Sequence, residues 1–440
     1  MAGAEAGDAA RLDSLSSLFD NVDSDSDRLR RYAVDDLVPD GAVRATAIED
    51  VQRLQSLATE HDLSVIAHGG RTMRDLGMPP RKYDVALDLS GLDQVVDYEP
   101  NDFTITVQAG MTLAELQRHL ATNGQFLPLD HPHFERATLG GICAVGRGGL
   151  RRGSFGGPRD WLIGMRMVKA DGTAIKGGGK VVKNVSGYDL PKLFAGSLGT
   201  LGVIVEVTLK LRPQPASDQI VALNAPSLES ALAAARAAAN AAPFLNGCVV
   251  LSAGASANAH DLGAKVLHDQ PAILLRANGL ETAASEVLAQ ALRAVRDAGI
   301  DSPERTTTAI VETWQAVADL ELQTTEACVR MRLGLPPANL PRGQRILADN
   351  LQEVTSWVAA ADSGLMLVDV PTIDADTVKT LRTLLGPLQG RLTIESGPLE
   401  LKRAVDVWGP AGPGARLMHN VKAQFDPTGI LSPGRFVDGI

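Results

Sequence analysis

Apolar residues first recur at helical spacing at Ile48, Val51, Leu54, Leu57 and Ala58, which predicts an amphipathic helix. An apolar run at 63–67 follows as a strand and ends in the turn residues Gly69 and Gly70. Residues 84–89 and 103–108 predict two more strands, the second alternating cleanly. Thr112 and Glu115 form a capping box ahead of Leu113, Leu116 and Leu120, and Gly124 supplies the stop of that helix. Strands at 163–170 and 173–176 flank Asp171 and Gly172, a hairpin signal, and 203–211 alternates as a closing strand.

Pro213 and Pro215 then break the pattern and mark a boundary. Beyond them, strands are predicted at 220–223, 248–252, 272–277, 328–333, 365–370 and 392–395, with helices at 227–242, 281–298, 342–360 and 374–385. This mixture suits an α+β sheet layered on helices. A last helix over 415–425 sets Leu417, Val421 and Phe425 on one face and stops at Asp426 and Pro427.

Composition narrows the class. The 440 residues are 45% hydrophobic and 21% charged, values of a soluble globular chain long enough for two or three domains. A net charge of −10 argues against nucleic acid as the main partner. Cys143, Cys248 and Cys328 are far apart and lack CxxC spacing, so they predict neither a disulfide framework nor an iron–sulfur site. No run approaches the ~20 apolar residues of a membrane span. The N-terminus has acid where a signal peptide has basic residues, so the expected location is cytoplasmic. Residues 1–30, with DNVDSDSD at 20–27, read as a flexible acidic tail.

One region departs from the acidic background. From Arg147 to Lys192 there are ten Lys or Arg against three Asp, a local balance of +7, and glycine crowds into 137–204. Glycine lets backbone N–H groups approach a ligand and positive charge favours an anion, which points to a phosphate-bearing cofactor. No GxGxxG follows a strand. The nearest Walker-like register, Gly172 to Lys180, puts Gly178 where the lysine belongs, so Rossmann and P-loop folds are disfavoured.

What remains is an ordered set: Gly69, Gly70, Arg71 and Thr72; a proline-flanked stretch at 128–132 leading into ATLGG at 137–141; GGPRD at 156–160; KNVSGYD at 183–189; and GSLGTLGVI at 196–204. Its order and spacing resemble the FAD-binding domain of the p-cresol methylhydroxylase and vanillyl-alcohol oxidase superfamily. Within it, KNVSGYDLPKLFAGSLGTLGVI and the tail WGPAGPGARLMHNVKAQFDPTGILSPGRFV look most like the FAD-binding subunit of glycolate oxidase. The resemblance implies a two-subdomain FAD-binding domain at 31–213, an α+β cap with a mainly antiparallel sheet at 214–405, and a segment, 406–440, that returns to the FAD domain. It implies FAD contacts at Gly69, Gly70, Arg71 and Thr72 around the diphosphate and at Thr138, Gly140 and Gly141 under the flavin. Gly146, Gly156, Arg159 and Asp160 complete the loops, and Gly202, Val203 and Ile204 lie against the adenosine half. It also implies a 2-hydroxy-acid substrate, a paralogous flavin subunit, an iron–sulfur subunit, and contact with the inner membrane only through such partners.

Two positions depart from the family pattern: His68 stands where an Arg is common and Arg71 where a third Gly is common. Arg71 either crowds the cofactor or pairs with a phosphate. His68 precedes the Gly pair, on the wrong side for the usual covalent linkage, so the expected FAD is non-covalent. His131 and His133 hold a loop or touch flavin or substrate; HxH without a third ligand is no metal site. Lys183, Asn184, Tyr188 and Asp189 either secure a loop and cap the next helix, or Lys183 or Arg159 attracts an anion while Tyr188 lines the flavin pocket.

Oxidising a 2-hydroxy acid needs a base for the hydroxyl proton and a cation for the carboxylate. The second half offers only His260 and His268, with no obvious acidic companion, and His419 in the last helix, so no catalytic residue is assigned. Three readings stay open: an FAD-binding subunit of a dehydrogenase complex, a self-sufficient FAD dehydrogenase, and a flavin-free structural subunit.

Overall fold

The computed structural model describes residues 19, 22–180, 188–321 and 328–440. Strands β1 (Val22–Asp23), β2 (Gly41–Arg44), β3 (Val65–His68) and β4 (Val85–Asp88) form a small sheet of order β1-β2-β4-β3, with β2 and β3 both parallel to β4. The amphipathic helix Ile48–His61 crosses over from β2 to β3, the two parallel strands that flank β4, with Val51, Leu54 and Ala58 buried against Val65 and Leu87.

Next come β5 (Val95–Glu99), β6 (Thr104–Gln108), β7 (Gln125–Phe126), β8 (Leu162–Val168), β9 (Ala174–Gly178), β10 (Val203–Lys210) and β11 (Arg212–Pro213). Five of them make an antiparallel sheet of order β5-β6-β10-β8-β9, while β7 pairs with β11. The capping box forms as expected: Thr112 Oγ1 accepts from Glu115 N–H at 3.2 Å and the Glu115 carboxylate accepts from Thr112 N–H at 3.0 Å, starting helix Leu113–Ala121.

The remaining strands are β12 (Ser217–Asn224), β13 (Gly247–Leu251), β14 (Ala272–Gly279), β15 (Arg305–Thr306), β16 (Val329–Gly334), β17 (Ser356–Ala360), β18 (Leu365–Val370) and β19 (Arg391–Ser396). They form an eight-stranded antiparallel sheet of order β15-β12-β14-β13-β17-β18-β16-β19. Helices Leu228–Ala241, Glu281–Asp297, Leu340–Asn350 and Ala375–Leu385 cover one face. The other packs helices Ala253–Asp261 and Ile310–Asp319, and Leu150, delivered from the first half of the chain, is buried among them. The α+β class and the antiparallel third sheet are as the resemblance implies.

The C-terminal residues lie along β3. Val65 N–H donates to Ile430 O at 2.8 Å and Ser432 N–H to Val65 O at 2.9 Å, while Ile430 and Leu431 join the core of the first sheet. No described helix is long and apolar enough to cross a membrane.

Four expectations change. The helix expected over 342–360 ends at Asn350, and Ser356–Ala360 is a strand buried at every position; a short apolar run carries no periodicity to separate the two. Val95–Glu99 is a strand that sequence reading missed; it is short, nowhere fully buried, and its pairing shifts register between Val95 and Asp97. Leu417 does not share a buried face with Val421 and Phe425; it is 66% exposed. The acidic N-terminal run is structured from Val22: β1 pairs with β2, and Asp25 caps helix Ser26–Leu29 by accepting from Arg28 N–H at 3.0 Å. Asp and Ser there act as cap residues, not only as solvated ones.

Candidate functional site

Three backbone segments converge. β3 delivers the chain to His68, whose carbonyl accepts from Leu89 N–H at 2.8 Å, and residues 69–74 turn away from the sheet end. Helix Leu139–Val145 begins against β6, with Gly140 N–H donating to Ala109 O at 2.8 Å and Leu139 N–H to Met111 O at 2.9 Å. β10 enters beside them, Val205 O accepting from Ala109 N–H at 2.9 Å. Between them lies a cleft of about 940 Å³ including its open mouth, which Ser432 and Arg435 also line.

Gly69, Gly70, Arg71 and Thr72 line this cleft, as do Thr138, Gly140 and Gly141, and Gly202, Val203 and Ile204. Gly146, Gly156, Arg159 and Asp160 do not. Gly146 ends the helix at φ +68°, and the exposed Asp160 caps helix Pro158–Trp161 by accepting from Gly157 N–H at 2.8 Å. Tyr188 is 92% exposed and outside the cleft, and Asp189 caps helix Leu190–Phe194 through Lys192 N–H at 3.4 Å. Lys183 and Asn184 lie outside the described residues.

The glycines serve the loops before any ligand. A Cβ on Gly70 would sit 1.7 Å from Arg136 O and one on Gly69 1.9 Å from Thr138 Oγ1, so the first turn fits against the second loop only without side chains. The basic run also has another use. Arg151 pairs with Asp130 at 2.6 Å, Arg166 with Glu206 at 3.5 Å and Lys169 with Asp171 at 2.7 Å, and none of them lines the cleft. The cations lining it are Arg71, Arg74 and Arg435.

Arg71 keeps the left-handed backbone that a glycine would take there, φ +56°, and its guanidinium turns onto Asp88 at 3.0 Å and over the Tyr32 ring at 5.0 Å. Burial pushes the Asp88 carboxyl up, but hydrogen bonds from Tyr32 and Ser90 and the Arg71 charge outweigh it and hold it below the usual carboxylate range. His68 is buried with Nε2 2.5 Å from Tyr83 Oη. Tyr83 Oη donates to Tyr32 O at 3.1 Å, so the His68 nitrogen is the donor in their contact. Burial, with the Arg435 and Arg71 charges, lowers His68 to about 3, and it is neutral at physiological pH.

Three buried polar atoms of the cleft-lining residues have no hydrogen-bond partner: His131 Nε2, Thr138 Oγ1 and Arg435 Nε. His131 is 3% exposed and its Nδ1 lies 2.8 Å from Pro132 O. A carbonyl only accepts, so Nδ1 carries the proton and Nε2 offers a lone pair. Buried polar groups are nearly always paired, so this wall suits a ligand with polar edges. His133 instead ties its N–H to Asp319 at 2.6 Å, a loop role. His260 and His268 face each other at 5.7 Å outside the cleft. No cluster of potential metal ligands occurs among the described residues.

Sequence reading missed a buried ionic cluster where the first half meets the third sheet. Arg147 Nη2 lies 2.7 Å from Glu321 Oε2 and Nη1 2.9 Å from Glu395 Oε2, and Arg332 Nη1 is 3.6 Å from Glu395 Oε1. Burial lifts Glu321 above the ordinary carboxylate range against the pull of Arg147 and Arg332. The partners are distant in sequence, and no local signal joins them.

Residues 39–178 match the family described as FAD binding domain. Glycolate oxidase subunit GlcD of Bacillus subtilis is 33% identical over 178 residues, 40% of this chain and 38% of the relative. Glycolate oxidase subunit GlcE of Escherichia coli is 38% identical over 152 residues, 34% of this chain and 43% of the relative. The matched region thus spans about two fifths of the length of these curated relatives. Over the whole fold, substrate-bound p-cresol methylhydroxylase superposes with a TM-score of 0.75 at 17% identity, covering 98% of this chain and 96% of that one. Two of the converging segments, 69–72 and 138–141, lie inside the matched residues and the third, 202–204, beyond them: residues 39–178 carry an FAD binding domain match within a fold of the p-cresol methylhydroxylase type.

Proposed function

We propose that this chain binds FAD non-covalently and acts as the FAD-binding subunit of a glycolate oxidase-like 2-hydroxy-acid dehydrogenase complex. In this reading residues 31–213 and 406–440 hold the cofactor, and 214–405 form the substrate-side domain. Gly69, Gly70, Arg71 and Thr72 hold the diphosphate, Thr138, Gly140 and Gly141 lie under the flavin, and Gly202, Val203 and Ile204 flank the adenosine half. FAD, when bound, supplies a two-electron acceptor. The protein's part is to orient it, exclude water and manage the substrate's charge and proton.

The observation that carries this reading is the single cleft in which three loops converge and His131 Nε2, Thr138 Oγ1 and Arg435 Nε are buried without partners. Arg71 is compatible with it, because its side chain is held by Asp88 and Tyr32. Non-covalent binding is supported by His68, whose Nε2 is engaged by Tyr83. The names of the two glycolate oxidase relatives support the substrate class and a companion flavin subunit. An iron–sulfur subunit and indirect membrane contact belong to the same reading, for a chain that is itself cytoplasmic.

Purification from the native source tests all of this. The expected protein is yellow, releases its flavin on acid precipitation, and brings a paralogous flavoprotein and an iron–sulfur protein with it. A colourless protein that stays colourless with added FAD would refute cofactor binding. Full turnover by the isolated chain favours instead a self-sufficient dehydrogenase.

A further inference from the structure

The tail of the chain is fastened beside the turn that leaves β3. Ser432 N–H donates to Val65 O at 2.9 Å, Arg81 N–H to Pro433 O at 2.9 Å and Met78 N–H to Arg435 O at 3.0 Å. Trp408 Nε1 donates to the same Arg435 carbonyl at 3.0 Å. These contacts fix the backbone from which the Arg435 side chain starts. Its guanidinium then reaches the turn itself, Nη2 donating to Arg74 O at 2.6 Å and to Leu76 O. Arg435 lines the same cleft as Gly69, Gly70, Arg71 and Thr72, so the last segment of the chain sets a cation beside the first glycine turn.

That cation has no counter-ion of its own. Arg435 is 4% exposed, and the carboxylates that face it, Asp35 and Asp75, are each engaged by another cation. Asp35 lies 2.5 Å from Lys402 Nζ and Asp75 3.9 Å from Arg74 Nε, while Asp88 is taken by Arg71 at 3.0 Å. The charges bearing on Arg435, Lys402 and His68 are therefore Arg71, Arg74, Lys402 and Arg435 against Asp35, Asp75 and Asp88, four against three. The surplus of one falls on the buried guanidinium. Burial draws Arg435 below its ordinary range, but a guanidinium keeps its charge inside a protein. Its Nε is also buried without a hydrogen-bond partner, so it has donor capacity left after the two carbonyls are served. A buried charge without a partner is strongly unfavourable, and an anion in the cleft would supply what this one lacks.

The ring, ribityl chain and adenosine of oxidised FAD are neutral, and its negative charge is confined to the diphosphate. We propose that Arg435 is a cofactor-binding residue that takes the diphosphate beside the 69–72 turn, and that it makes the cleft select flavin dinucleotide over flavin without phosphate. This rests on the FAD reading and adds to it a residue from the opposite end of the chain. Arg71, whose guanidinium is held by Asp88 and Tyr32, then contributes mainly the shape of the turn, and Arg435 the charge.

The test uses the full chain, freed of flavin and titrated with three probes: FAD, ADP, and riboflavin, which has the same ring and no phosphate. Flavin fluorescence reads the first and third, and calorimetry the second. Arg435→Gln removes the charge but keeps amide N–H donors for the Arg74 and Leu76 carbonyls. It is expected to weaken FAD and ADP each about tenfold or more and to leave riboflavin within about twofold. Equal weakening of all three probes would assign Arg435 a purely structural role, and unchanged FAD and ADP affinity would assign it none at the ligand; either result overturns the proposal. Should Arg435→Gln not fold, a crystal structure of the FAD-loaded wild type decides. A diphosphate oxygen is expected within about 3.2 Å of a guanidinium nitrogen of Arg435, and a guanidinium that meets only the flavin ring, or no part of the cofactor, overturns the proposal. A wild type that takes up no FAD refutes the cofactor reading, and this contact with it. A wild type that binds FAD no more tightly than Arg435→Gln does refutes the contact alone.

Discussion

Lowering the pH from about 7.5 to about 5 is expected to destabilise this protein through two histidines that are buried uncharged. His68 and His131 are 5% and 3% exposed. Burial, reinforced by Arg435 and Arg71, depresses His68 to about 3, and burial depresses His131 to about 4. An unfolded histidine titrates near about 6.5. Both folded values lie below it, so the unfolded chain takes up protons first. Their contribution is fully present above about pH 6.5 and is lost as pH falls through the interval toward pH 3 to 4. Each pH unit below 6.5 costs about 1.4 kcal/mol per histidine, so near pH 5 each loses about 2 kcal/mol and the pair about 4. Asp362 works in the opposite sense. Burial raises its carboxyl to about 6, so it gains a proton in the folded state over the same interval. That recovers roughly 1 kcal/mol. Urea denaturation at the two pH values measures the net loss, and His131→Gln isolates one contributor. Whatever constant penalty the substitution adds, the variant should lose about 2 kcal/mol less than the wild type between the two pH values. Equal losses in the two proteins would show that His131 is not a buried neutral group, and the description of the cleft wall would fail with it.

Gly70→Ala places a methyl group 1.7 Å from the Arg136 carbonyl oxygen. It should cost about 1–3 kcal/mol and weaken FAD uptake, read by flavin fluorescence. Gly179→Ala, whose methyl meets nothing within 4 Å, should behave as the wild type. Arg151→Met leaves Asp130, 9% exposed, without its 2.6 Å partner, and the urea midpoint should report a loss of about 3–5 kcal/mol. Thr112→Ala removes the cap of helix Leu113–Ala121 and should cost about 1 kcal/mol, or roughly 1 °C in a melt, without altering flavin content.

The elements that sequence patterning located share a physical property: their signal is local. Helix Ile48–His61 repeats its apolar residues every turn, and the Thr112 and Glu115 cap is written in four consecutive positions. The cleft was legible for the same reason, because each of its three loops announces itself with small residues. The buried strand β17 was not, since Ser356–Ala360 is covered on both faces and shows no period. The ionic cluster was invisible because Arg147 meets Glu321 and Glu395 only after the third sheet has folded against the first half. The basic stretch misled in an instructive way. Its excess charge is real, but much of it is matched by carboxylates such as Asp130 and Glu206, which one-dimensional counting cannot pair.

The same distinction bears on whether the flavin has been lost. His68 and Arg71 depart from the family pattern, which taken alone favours a structural subunit without cofactor. In the folded chain, however, Arg71 holds a left-handed backbone at φ +56°, a conformation that costs a side-chain-bearing residue about 1–2 kcal/mol. The turn has therefore kept the shape a glycine would give it despite the side chain. The guanidinium is folded away onto Asp88 and Tyr32, and His68 is absorbed into the hydrogen bonds of Tyr83. A chain released from holding a cofactor would have no reason to keep that strained turn next to unpartnered His131, Thr138 and Arg435 atoms. Each carries a desolvation cost of about 1–3 kcal/mol that an apolar substitution would remove. Retention of both costs in one cleft is the physical argument that the site still takes a ligand.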